Sequence, residues 1–142
     1  MTRHILCAVD LTHADAARDI LREADKLAGF YGATLSVVTV LPDFGSSWVS
    51  TFFQEGTMGD AAKAASTALH TLVREALPDR TDVQHIVEIG TVYEKVLEAI
   101  ELSQADLVIV GAHKPDIADR VLGPNSARIA RASPVSTLVL RF

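Results

Sequence analysis

Cysteine, basic charge and long apolar runs are all scarce in this chain, and each shortage excludes something. Its 142 residues hold one cysteine, Cys7, so no internal disulfide can form, which fits a reducing compartment. Lys and Arg number 13 against 18 Asp and Glu, for a net charge of -5. Neutralising a nucleic-acid backbone needs a basic surface, so nucleic acid is not the expected partner. The longest apolar runs are strand-length, which rules out a helical span of a bilayer and makes a membrane an unexpected partner. A strand pattern starts at His4, with no basic segment and signal-type apolar core before it, so the expected location is the cytoplasm. No Walker A sequence, dinucleotide GxGxxG fingerprint or His/Cys metal spacing occurs. Kinase, P-loop ATPase, NAD enzyme and zinc site therefore have no support, and no metal ligands are assigned.

What is present suits one globular domain over residues 1–142: 49% hydrophobic and 22% charged residues are enough for a core with a soluble surface. His4 to Asp10 reads as a first strand ending in an acid. From Asp15 to Phe30, apolar residues recur at helical spacing (Ala16, Ala17, Ile20, Leu21, Ala24, Leu27, Ala28), and Gly29 and Gly32 flank the end. Thr34 to Leu41 is a β-branched strand that Pro42 ends. A second amphipathic helix covers Asp60 to Leu77. Val83 to Ile89 is a strand closed by Gly90. Thr91 and Glu94 have capping-box spacing for a helix to about Gln104. Strands at Asp106–Val110 and Val135–Arg141 enclose a helix over about Asn125–Ala132. Strands alternating with helix-length crossovers imply parallel pairing and right-handed connections. The expected fold is a three-layer α/β sandwich with a five-stranded parallel sheet, order 3-2-1-4-5. Residues 43–59 form the one long irregular connection and carry Phe44, Trp48, Phe52 and Phe53, half of the eight aromatics. Such a loop is a lid, a binding loop or a mobile segment, or its aromatics tuck onto the core or a partner.

Chemistry concentrates between residues 107 and 129. The apolar run Leu107–Val110 meets Gly111, then a polar loop leads to Gly123-Pro124-Asn125-Ser126 and a helix. A glycine after a buried strand lets backbone approach a ligand, and Asn125 and Ser126 are good N-cap residues at a helix start that favours anions. In the order 3-2-1-4-5 the order reverses between strands 1 and 4, where ligands of open α/β sheets sit. Asp10 and Gly111 would face each other across that crevice.

With these residues in view, the chain resembles the universal stress protein family over its whole length, nearest to small single-domain members of the F/G type. The matching stretches are Ile5-Leu-Cys-Ala-Val-Asp10, Leu35 to Leu41, Glu88-Ile-Gly-Thr91, Gly111-Ala-His-Lys-Pro-Asp-Ile117 and Leu122-Gly-Pro-Asn-Ser126. The resemblance implies a Rossmann-like adenine-nucleotide fold, stress-related regulation rather than catalysis, and a homodimer through the last strand. The implied ligand is ATP, or AMP or ADP, with any Mg²⁺ carried on its phosphates. Carried over by residue, Ala8, Val9 and Asp10 would lie near adenine and ribose, Val40 beside adenine, and Val110 and Gly111 beside ribose. His113, Lys114, Gly123, Asn125 and Ser126 would surround the phosphates. The family's ATP pattern, G-x2-G-x9-G-(S/T), is only partly kept. Lys114 stands at the second glycine, Gly123 comes one residue early and Pro124 replaces the Ser or Thr. Pro124 removes a backbone N–H, whereas the Lys114 ammonium offsets phosphate charge.

Bland readings stand beside these. Asp10 either contacts a ribose or cation, or caps the following helix near Thr12. Cys7 is expected to be buried and inert. His113 and Asp116 have acid/base character, but no nucleophile is placed with them, so no catalytic residue is assigned. A slow ATP hydrolase using His113 or Asp10 stays behind two other readings: a nucleotide-binding regulator with an unidentified protein partner, and a nucleotide-free dimeric scaffold with a degenerate phosphate loop. The Val135–Leu140 strand, at a sheet edge with little after it, is the expected dimer contact.

Overall fold

The computed structural model describes residues 2–42, 57–112 and 124–142. Five strands, β1 (His4–Ala8), β2 (Thr34–Pro42), β3 (Gln84–Gly90), β4 (Leu107–Ala112) and β5 (Ser136–Arg141), form one sheet. Its order is β3-β2-β1-β4-β5, with every pair parallel. Around it lie the described helices α1 (Ala14–Tyr31), α2 (Thr57–Ala76), α3 (Val92–Ser103) and α4 (Pro124–Ala132), with a 3-10 turn at Leu11–His13 before α1. The expected α/β architecture and strand order are therefore what the chain adopts.

The two faces of the sheet separate the core into two layers. Ile5, Cys7, Leu35, Val37 and Ile109 pack with Leu21 and Ala24 of α1 and Leu69 and Val73 of α2. Leu6, Val38, Val108 and Val110 pack with Val96 and Ile100 of α3 and Ile129 of α4. A strand covered on both faces needs apolar residues at every position, and central β1 shows it: Ile5, Leu6 and Cys7 are all fully buried. Each such large side chain contributes about 1.5–3 kcal/mol by leaving water. Among the described residues no helix is long and apolar enough to cross a membrane.

Several boundaries differ from the sequence expectation, for local reasons. Gly29 lies inside α1. Gly32 ends that helix in the left-handed region (φ 64°), its N–H donating to the carbonyls of Ala28 and Gly29. Strand β1 stops at Ala8, so Asp10 belongs to the following turn. Pro42 is the last residue of β2, facing Gly90 of β3. Thr91 sits at the N-cap of α3 with an extended backbone but makes no side-chain cap hydrogen bond, so the capping box does not close. Helix α4 begins at Pro124, which puts Asn125 inside the first turn. Pro there needs no N–H partner. At the opposite end of the sheet, Asp106 accepts from the backbone N–H of Arg3 (2.7 Å) and His4 (3.3 Å), fixing where β1 enters beside β4.

Candidate nucleotide site

The crevice lies beyond the carboxyl ends of β1 and β4, where the strand order reverses. Ala8, Val40 and Val110 all belong to the α3/α4 side of the sheet: Ala8 and Val40 are half-buried there and Val110 is buried. Parallel pairing with alternating side chains brings these three to one face, because Ala8 pairs with Val38 and the β1–β4 register aligns Cys7 with Ile109. Val9 points the other way, into the α1-side core, and its backbone is already used. Its N–H donates to the Val38 carbonyl (2.9 Å), and its carbonyl accepts from Thr39 Oγ1 (3.0 Å).

Asp10 takes the capping role. Its Oδ1 accepts from the Thr12 amide (2.9 Å) and the Thr12 hydroxyl (2.7 Å), and its Oδ2 lies 3.1 Å from His13 Nδ1. Burial pushes its carboxyl up, but the Thr12 and His13 contacts outweigh this and hold it below the ordinary 3.8. A depressed carboxylate stabilises the fold above that ordinary value and loses the contribution as pH falls through the lowered one. Asp10→Ala is expected to cost about 1 kcal/mol of stability at pH 7, the usual worth of an N-cap, and Asp10→Asn much less. Chemical unfolding of both variants measures this; equal stability of wild type and Asp10→Ala would refute the capping role.

Gly111 falls within β4, opposite Leu140 of β5, not in a turn after the strand. A Cβ built on it would lie 2.4 Å from Ile20 Cδ1 and 3.0 Å from Phe142 Cε1. The space beside Gly111 on the α1 side is therefore filled by the protein itself. Phe142 is held there partly by its backbone N–H donating to the Ala112 carbonyl (3.0 Å). Ser126, 8% exposed, donates from Oγ to the Gly111 carbonyl (3.1 Å), tying the first turn of α4 to the end of β4. Asn125 beside it is exposed. His113, Lys114 and Gly123, with Asp116 and the aromatics Phe44, Trp48, Phe52 and Phe53, lie outside the described residues.

Two features escaped the sequence reading. The Arg128 guanidinium of α4 sits 4.7 Å from the centre of the Tyr93 ring, joining the middle of α4 to the start of α3 on the face shared by Ala8, Val40 and Val110. Helical spacing gave no sign of it, since the contact is between two helices. The second is an open groove of about 600 Å³ outside the 3-10 turn, lined by Thr12, His13, Asp15, Asp19 and Phe142 among others. It depends on how the last residue folds back. The buried Cys7 thiol is pushed up to about 12 by desolvation, so it stays protonated, as expected of an inert core cysteine. Among the described residues no three His, Cys, Asp or Glu side chains gather to hold a metal.

The model of the universal stress protein family matches residues 1–141. The chain belongs to the universal stress protein family. Among curated relatives, universal stress protein G of Salmonella typhimurium is 28% identical over 147 residues, covering 99% of this chain and all of the relative. Among solved structures, a universal stress protein in complex with cAMP superposes with a TM-score of 0.67 at 20% identity, covering 98% of this chain and 96% of the other. The universal stress protein UspA from Lactobacillus plantarum gives 0.75 at 20% identity, covering 99% and 98%. At that identity the two structures bear on the fold alone, which this universal stress protein shares.

Proposed function

We propose that this universal stress protein binds an adenine nucleotide, ATP in the first place and otherwise ADP or AMP, at the carboxyl ends of β1 and β4. It acts as a cytoplasmic stress-response regulator and not as an enzyme. The observation that carries the reading is the half-open apolar face of Ala8, Val40 and Val110 at the switch point, with the first turn of α4 fastened beside it by Ser126. An apolar wall suits an adenine ring, and free amides of a helix start suit phosphates. A protein of this fold in complex with cAMP, itself an adenine nucleotide, supports the same ligand class. Lys114 and His113 add charge and donors to the phosphate side in this reading, and Mg²⁺ arrives on the phosphates. Titrating ATP–Mg²⁺ against thermal unfolding tests it. A raised midpoint that Asn125→Asp cuts by about half or more supports the site; a flat midpoint in nucleotide-free protein rejects it.

A second reading is a nucleotide-independent scaffold, and particular contacts favour it. Asp10 is engaged by Thr12 and His13, Ser126 by the Gly111 carbonyl, and the room beside Gly111 by Ile20 and Phe142. In this reading the Asp10 carboxylate, the Ser126 hydroxyl and the room beside Gly111 are taken up by protein contacts.

In both readings the protein is a homodimer joined through β5. That strand is a sheet edge, and an edge with apolar side chains pairs readily with another chain. Sedimentation should give twice the 15.3 kDa chain mass. Leu138, half-buried against the α1-side core, is the position to charge. Leu138→Lys is expected to give monomer, with circular dichroism reporting a folded chain; a folded variant that stays dimeric would remove β5 as the contact.

A further inference from the structure

His70 of α2 and His85 of β3 touch: their ring centres are 3.9 Å apart and the planes stand at 76°. They lie away from the crevice, between a helix and the edge strand. The His85 Nε2 is buried and has no hydrogen-bond partner. We propose that this pair is an acid-sensitive contact, holding α2 on β3 while the His85 ring is neutral and releasing it when that ring takes up a proton.

Among the described residues, only the Val83 backbone favours a charge on His85. Val83, just before β3, and Val87 within it flank His85 in sequence and belong to the α1-side core with Leu69 and Val73 of α2. On β2 the residue opposite His85 is Val37. On α2, Lys63 and Arg74 share the helical stripe of His70, so the nearest charges along it are positive. Glu88 and, on α3, Glu94, Lys95 and Glu98 belong to the opposite face of the sheet; Lys95 is engaged with Glu98 at 2.9 Å. Protonating His85 therefore puts a cation with an unpartnered N–H against an apolar layer and beside a second imidazole. Burial first, then the neighbouring His70, pull His85 below the ordinary 6.5, with the Val83 backbone acting in the other direction. The sign follows: the unfolded chain takes the proton first, so the contribution is full above 6.5 and is lost as pH falls. His4 is also depressed, by burial against the pull of Asp106, but its ring contacts Thr34 Oγ1 and lies 2.7 Å from Ser36 Oγ. Its titration acts on β1 and β2, away from α2.

Amide hydrogen exchange at pH 7.5 and 5.5, corrected for intrinsic rates, separates these cases. A pH about one unit below an ordinary histidine allows up to a ten-fold effect per depressed ring. In wild-type protein, amides of residues 66–76 and 84–90 are expected to lose protection by about that factor relative to β1 and β4. His85→Gln should reduce the loss to less than about two-fold, and His70→Gln, at an exposed position that will not compromise folding, should reduce it in part. An equal loss in wild type and His70→Gln, or a loss spread evenly over all five strands, would overturn the proposal.

Discussion

ATP–Mg²⁺ at about 100 times its dissociation constant is expected to raise the unfolding midpoint by about 5–10 °C. The figure follows from mass action: a ligand at that excess adds roughly 2.7 kcal/mol, and a domain of this length gains a few degrees per kcal/mol. The variant that makes the result local is Asn125→Asp. Asn125 is exposed in the first turn of α4, where an acid favours the helix by itself, so the unliganded protein should unfold at the wild-type midpoint or slightly above. The new carboxylate would lie against the phosphates, and binding should weaken about ten-fold or more, taking about 1.4 kcal/mol from the shift. A full shift retained in Asn125→Asp would move the phosphates elsewhere. No shift at all, in protein shown to be free of nucleotide, would leave the scaffold reading.

Substituting Gly111 is expected to give the second large effect, and to give it without any ligand. The Cβ of alanine would stand 2.4 Å from Ile20 Cδ1, well inside contact distance, in a layer where Ile20 is itself 5% exposed. Overpacking of this kind costs about 1–3 kcal/mol, and Gly111→Val, with two more methyl groups beside the Phe142 ring, belongs at the upper end. The midpoint should fall by about 3–10 °C. Ile20→Val removes the clashing Cδ1 atom. Alone it should cost about 0.5–1.5 kcal/mol, but combined with Gly111→Ala the double variant should be more stable than the two single costs predict. Strict additivity would show that Ile20 is not what makes glycine necessary. Loss of nucleotide binding in a Gly111 variant is consequently no measure of contact with a ligand by itself, because a side chain there also crowds Ile20 and Phe142.

The parallel sheet was legible in the sequence. β-branched runs at Thr34–Leu41 and Leu107–Val110, separated by helical stripes, leave few other arrangements, because short apolar runs buried on both faces need helices above and below. The switch point between β1 and β4 follows from that order, whereas Ala8, Val40 and Val110 were named by the family resemblance and it is the strand register that brings them to one face. Which groups remain available there did not follow. Asp10 had two readings in the sequence, and the hydrogen bonds from Thr12 select the cap. Gly111 looked like the turn that admits a phosphate, yet it lies inside β4 because that strand goes on pairing with β5 as far as Ala112.

Local rules, then, determined the strands, the helices and their order, since periodicity and helix stops act over a few residues. Contacts between residues far apart in the chain were decided only by the tertiary structure. Gly111 meets Ile20 and Phe142, Ser126 reaches back to Gly111, Arg128 lies over Tyr93, and His70 meets His85. Each depends on the register of two elements and on the rotamers that close packing allows, and no spacing within one element encodes either.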